Sequence, residues 1–262
     1  MTPSLPRVLW LLWLQGWDEA PPVARACLES WRRLNPEWDV RAIDGSGLAE
    51  YLSPRAYAQI AAVPKEPEAF ADQIRIELLH AHGGVWADAT AMCALPLDDW
   101  LPERMRTGFF AFERPTTDRM IASWFLAASV PCHIVAQWRA SAVAYWTGRE
   151  YRDDYFWFHE LFGALYEKDE RFRSDWQATP SLPARHAFHF GPEDSRLTSA
   201  ATPDYIAALA SPPSPVFKLT HKLSEQPTSN SLLQVLCDFG CGVTPENPGT
   251  PGARAPTGTG RQ

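Results

Sequence analysis

Residues 71–90 read ADQIRIELLHAHGGVWADAT, and the reading of this stretch decides the rest of the chain. Phe70, Ile74 and Leu78 recur at every fourth position, which predicts a helix with an apolar stripe facing a sheet. Asp72 and Arg75, at i and i+3, share a neighbouring face of that helix. Gly83-Gly84 stands where glycine commonly stops a helix. Val85-Trp86-Ala87 then predicts a short buried strand whose carboxyl end presents Asp88. Ligands of open α/β sheets bind beyond the carboxyl ends of strands, so this acid, beside a helix bearing Asp72 and Arg75, marks a candidate site.

Working outward, VLWLLWL at 8–14 predicts a first, central strand. It is too short for a membrane span, which takes ~20 apolar residues, and no small-residue cleavage site follows it. Pro21-Pro22 opens a helix with Val23, Cys27, Leu28, Trp31 and Leu34 on one face, and Asn35-Pro36 stops it. Residues 38–43 predict a second strand, and strand–helix–strand implies a parallel pair joined by a right-handed crossover. Residues 48–63 read as helix broken at Ser53-Pro54. Downstream, 107–112 suggests a strand, 121–128 a strand or short helix, and 131–146 and 153–166 helices. Prolines through 179–214 predict long loops with short elements, before a strand at 216–220 and a helix at 231–239. The expected organisation is one domain over 1–243 and a disordered Pro/Gly/Thr-rich tail over 244–262.

Composition bounds the function. Hydrophobic content of 45% with 12 Trp supplies a core. The net charge of -7, without a basic block, disfavours nucleic-acid binding along phosphates. The 5 Cys are scattered and lack a second Cys/His pair at zinc-ligand spacing, so free thiols in a reducing compartment are expected.

The helix-borne D-x-x-R, the Gly-Gly-aromatic turn and Asp88-Ala89-Thr90 resemble the donor site of sugar transferases with a D-x-D-like motif, and in particular the bacterial capsular polysaccharide synthesis family. The opening block from Val8, LPLDDW, SWFLAAS, YFWFHELF and FKLTHK fit that family in the same order, over roughly residues 6–222. The resemblance implies a GT-A-like α/β nucleotide-sugar-binding fold with a mixed central sheet flanked by helices. It implies transfer of a hexose from a nucleoside-diphosphate donor to a saccharide or lipid-linked acceptor, with retention at the anomeric carbon. The expected location is cytoplasmic, including peripheral contact with the inner membrane.

Site expectations follow residue by residue. Asp88 is expected to hold a divalent cation, Mn²⁺ or Mg²⁺, that neutralises the departing diphosphate. Thr90 departs from D-x-D and is a weaker ligand than a carboxylate, which puts metal dependence in question. The resemblance implies that Asp72 contacts sugar hydroxyls, that Arg75 contacts sugar or phosphate, and that His221 is a remote metal ligand or diphosphate contact. The plainer reading of Asp72 and Arg75 is an exposed helix ion pair. Lys218 and Lys222 can add charge for phosphates, and Gly84 completes the donor motif. One of Trp10, Trp13 and Trp17, with Trp10 as the choice, is expected to stack on base or sugar; core packing is the default for each. His159, in an aromatic run, and Asp154, at an N-cap position, are catalytic candidates whose plainer roles are core and cap. Glu77 reads as a solvated face residue. A phosphotransferase is disfavoured because no P-loop is present. A glycan-binding protein or an inactive transferase descendant is the non-enzymatic rival.

Overall fold

The computed structural model describes residues 4–62 and 66–243. Val63 and the expected tail from Thr244 onward lie outside these residues. Strand β1 (Val8–Leu12) leads into helix α1 (Pro22–Leu34), strand β2 (Asp39–Ile43) and the short helices α2 (Leu48–Tyr51) and α3 (Pro54–Ala61). Helix α4 (Pro67–His82) and strand β3 (Gly84–Ala87) carry the deciding stretch. Strand β4 (Ala91–Cys93), helix α5 (Leu97–Trp100) and the hairpin of β5 (Phe109–Thr116) and β6 (Arg119–Ala128) follow. Helices α6 (His133–Trp146), α7 (Trp157–Lys168) and α8 (Glu170–Gln177) precede β7 (Leu182–Pro183), α9 (Ser195–Thr198), α10 (Pro203–Ala210), β8 (Val216–Lys218) and α11 (Leu232–Gly240).

The central sheet has six strands in the order β2-β1-β3-β6-β5-β7. As the opening strand–helix–strand pattern requires, β1 pairs parallel with β2; it also pairs parallel with β3. β6 runs antiparallel to β3 and β5, which makes the sheet mixed. The segment at 121–128, open between strand and helix in the sequence, is the long strand β6. The expected fold class, a mixed central sheet flanked by helices, is the one observed.

The pleat of β1 distributes its residues between two cores. Trp10 and Leu12 point to the side covered by α4, α6 and α7, while Leu9 and Leu11 point toward α1. A third cluster lies where the two-stranded sheet β4-β8 packs with α1 and α11. Among the described residues no helix is long and apolar enough to cross a membrane.

Two sequence expectations change here. Glu77 is buried and receives two hydrogen bonds from Arg139, at 2.7 and 3.1 Å, so it ties α4 to α6 rather than facing solvent. Trp10 is wholly buried and donates its indole N–H to the Gly83 carbonyl at 3.0 Å. Alternation along β1 sends it to the α4 side of the sheet, away from the carboxyl-end cleft.

Candidate functional site

Gly83 closes α4 at φ 68°, and Gly84 starts β3 at φ 87°. A Cβ on Gly84 would lie 2.3 Å from the Val8 carbonyl oxygen, so glycine is required for β1 and β3 to approach. Gly84 therefore acts through the backbone, and it stands outside the residues that line the cleft described below. The tight junction sends β3 back along α4, and Asp88 emerges from the strand beside the first turns of that helix.

There Arg75 joins the two acids. Its NH1 lies 2.9 Å from Asp72 and its NH2 2.9 Å from Asp88. NH1 also donates to the Ser123 carbonyl at 2.9 Å, and the guanidinium lies over the Trp86 ring. The Trp86 indole in turn donates to Asp88 at 3.0 Å. The ion pair on α4 is the one its spacing suggested, but it is not at the surface: only 6% of the Arg75 side chain and 13% of Asp72 are exposed.

From the other side comes β8. The register Ala91↔Lys218 places the Lys218 ammonium 3.2 Å from Asp88 Oδ2 and 2.8 Å from the Thr90 hydroxyl. Desolvation alone would push the Asp88 carboxyl up; Lys218, Arg75 and the Trp86 hydrogen bond outweigh it and hold the carboxyl below its usual range. Burial pushes the Asp72 carboxyl the other way, to about 6, with Arg75 opposing and Asp88 reinforcing the rise.

These groups line a cleft of about 810 Å³, within the ~300–1,000 Å³ common for small-molecule sites. It opens beyond the carboxyl ends of β1 and β3, the position such sheets favour. Thr90, Lys222 and His221 line it with Asp72, Arg75 and Asp88. Lys222 stands at the rim in a 3.0 Å ion pair with Glu68 of α4. Trp13, one residue past β1, is the member of the three N-terminal tryptophans that lines the cleft, with the His221 ring edge-on to it at 5.3 Å. Trp17 instead donates its indole N–H to the Ile43 carbonyl at 3.0 Å.

His159 also lines the cleft, with its Nδ1 sealed from water and without a hydrogen-bond partner among the described residues. Burial, then the charges of Arg75 and Arg119, pull its pKa down to about 3, so the imidazole is neutral at physiological pH. Such a ring suits hydrogen bonding to a ligand hydroxyl better than general-base work. Asp154 is exposed and outside the cleft lining. It accepts from the Phe156 N–H at 2.6 Å and holds the turn before α7, whose N-cap is Phe156 rather than Asp154.

The residues present do not fit a bound divalent cation. Both oxygens of Asp88 already accept hydrogen bonds from Arg75, Trp86 and Lys218, and Thr90 accepts from Lys218. Among the described residues no group of three or more His, Cys, Asp or Glu could hold a metal ion. The expectation paired Asp88 with His221 around Mn²⁺ or Mg²⁺; in this structure Asp88 pairs with two organic cations, Arg75 and Lys218, and the His221 ring stands against Trp13. Sequence reading named Trp86 as a strand residue and as the motif aromatic without giving it a site role, and it passed over Arg119, which nothing local distinguished.

A family model described as "Capsular polysaccharide synthesis protein" matches residues 2–236. The chain belongs to this family. Among individual proteins, the O-glycosyltransferase PaGT of Phomopsis amygdali is 28% identical over 156 residues, covering 53% of this chain and 38% of that protein. The glycosyltransferase afumC of Aspergillus fumigatus is 31% identical over 109 residues, covering 37% of this chain and 28% of that one. The chain therefore matches well under half the length of these relatives. Among solved structures it is similar to the PaToxG glycosyltransferase at a TM-score of 0.44 and 13% identity, over 66% of this chain and 74% of the other.

Proposed function

We propose that this protein is a glycosyltransferase that uses a sugar nucleotide, with the cleft around Asp72, Arg75, Asp88 and Lys218 as its donor site. The reading is that of a GT-A-like enzyme moving a hexose to a hydroxyl of a saccharide or lipid-linked acceptor in surface polysaccharide synthesis. The observation that carries it is the convergence of Arg75 and Lys218 on Asp88 in the cleft, where a diphosphate can meet two fixed cations. As the anomeric C–O bond breaks, its electron pair leaves on the diphosphate, and pre-placed cations stabilise that charge without reorganising. The acceptor hydroxyl forms the new bond, and its proton leaves with the nucleoside diphosphate. Asp72, when ionised, accepts hydrogen bonds from sugar hydroxyls and so distinguishes a sugar from an apolar group. Neutral His159 orients a hydroxyl, and Trp13 offers a face for the base. Retention at the anomeric carbon, a cytoplasmic location and contact with the inner membrane where lipid-linked acceptors reside belong to the same reading.

The test is a thermal-shift panel of nucleoside diphosphates and their sugar conjugates, followed by donor turnover with product stereochemistry read by NMR. A ligand at 100 times its Kd stabilises by ~2.7 kcal/mol. A shift with turnover supports the transferase; a shift with glycans alone would favour a glycan-binding protein. A shift with sugar nucleotides but no turnover would favour an inactive descendant.

A further inference from the structure

We propose that the ammonium of Lys218 stands in for the divalent cation of the donor site, so that this chain binds the diphosphate of its donor without metal. The inference rests on the donor-site reading above and deepens it.

The D-x-T motif supplies one carboxylate and one hydroxyl where a D-x-D motif supplies two carboxylates. A hard divalent cation such as Mg²⁺ asks for about six oxygens in near-octahedral array, commonly with more than one anionic ligand. Here the space between the two motif side chains is bridged by Lys218 Nζ, 3.2 Å from Asp88 Oδ2 and 2.8 Å from Thr90 Oγ1. An ammonium has three N–H donors. Two are directed at Asp88 and Thr90, and the side chain lines the cleft, so among the described residues the third has no acceptor and can meet a phosphate oxygen.

The charge arrangement agrees. Arg75 is shared between Asp72 and Asp88, whereas among the described residues Lys218 has Asp88 as its only acidic partner within ion-pair distance. Lys218 is thus the less compensated of the two cations and the better placed to meet an added anion. A divalent ion entering beside Asp88 would meet both positive groups at close range, and like charges repel more strongly in a partly buried site than in water. The lysine is also held in place. Lys218 ends β8, paired with Ala91, and its backbone N–H and carbonyl bond to Phe188 and Phe190 at 3.0 and 2.8 Å.

The experiment is titration calorimetry on the full chain after exhaustive chelation. Uridine, guanosine, thymidine and adenosine diphosphates are each titrated with EDTA and again with excess Mn²⁺. The expected result is one diphosphate that binds with a Kd unchanged, within about threefold, between the two conditions. Lys218→Met should then weaken that diphosphate by about tenfold or more, the scale of one charge-assisted hydrogen bond. The parent nucleoside should be unaffected, and Lys218→Arg should restore part of the loss. Binding that appears only with Mn²⁺, or wild-type affinity in Lys218→Met, would overturn the inference while leaving the donor site standing. No binding of any diphosphate or sugar conjugate in either condition would overturn both. Should Lys218→Met fail to fold by circular dichroism, the EDTA and Mn²⁺ titrations of the wild-type chain decide alone.

Discussion

The Arg75 guanidinium and the Asp72 carboxylate, one helical turn apart on α4, meet at 2.9 Å with 6% and 13% of their side chains exposed. Exposed pairs at this spacing contribute about 0.5 kcal/mol or less. Withdrawn from water, the same pair behaves differently, because each partner left alone would be a buried charge. Arg75→Ala should therefore destabilise the fold by about 3 kcal/mol and abolish donor turnover. Asp72→Asn should keep its melting temperature within a few degrees yet lower kcat/KM by about a hundredfold, as expected for a lost charged acceptor. Wild-type turnover in Asp72→Asn would remove Asp72 from the donor site.

Burial raises Asp72 to about 6, which sets a pH dependence with a definite sign. The native state holds this proton more tightly than the unfolded chain does. The associated stability is therefore full below the ordinary value of 3.8 and lost as pH rises through about 6. The stability of wild type minus that of Asp72→Asn should fall between those values and level off above them. The depressed Asp88 acts in the opposite sense, losing stability as pH falls, and is common to both proteins. Donor turnover should rise through a midpoint near 6 as Asp72 ionises, and the variant should show no such step.

Gly84→Ala tests a backbone role. The new Cβ would meet the Val8 carbonyl oxygen at 2.3 Å from a backbone at φ 87°. The expected cost is about 3 kcal/mol or more, from strain and overpacking together. A variant that folds normally and only loses ligand affinity would return Gly84 to the donor contacts.

The tryptophans at the end of β1 should separate by function. Trp13→Ala should weaken nucleoside binding by about fivefold or more, from lost stacking worth ~1–3 kcal/mol, at nearly unchanged stability. Trp10→Ala should do the reverse, costing about 3–5 kcal/mol of stability with nucleoside affinity intact in the folded fraction.

Glu77→Ala, in the α4–α6 contact, should cost about 1–3 kcal/mol, discounted because 28% of the Arg139 side chain reaches solvent. Turnover per folded molecule should not change. A large fall in turnover at unchanged melting temperature would mean that Glu77 acts on the cleft.

Much of the framework was legible because it rests on local rules. The four-residue spacing of Phe70, Ile74 and Leu78, the Gly-Gly stop and the apolar triplet before Asp88 are short-range signals, and α4, β3 and the position of Asp88 followed from them. The facing of individual side chains was less legible. Trp10 and Trp13 both stand in one apolar run, and the pleat together with the end of β1 at Leu12 sends one into the core and the other into the cleft. Glu77 looked like a solvated residue because nothing near it in the chain announces Arg139.

By itself the sequence determined the α/β alternation, the strand-end acid and the helix that carries Asp72 and Arg75, since each depends on residues within a few turns of one another. Only the tertiary structure decided what surrounds Asp88. The pairing of β8 with β4 brings Lys218 across 130 positions to its carboxylate, and the packing of α4 on the sheet withdraws Asp72 and Arg75 from water. Charge state, ion pairing and fitness for a metal depend on solvent exclusion and on partners distant in the chain, and these exist only once the strands have paired.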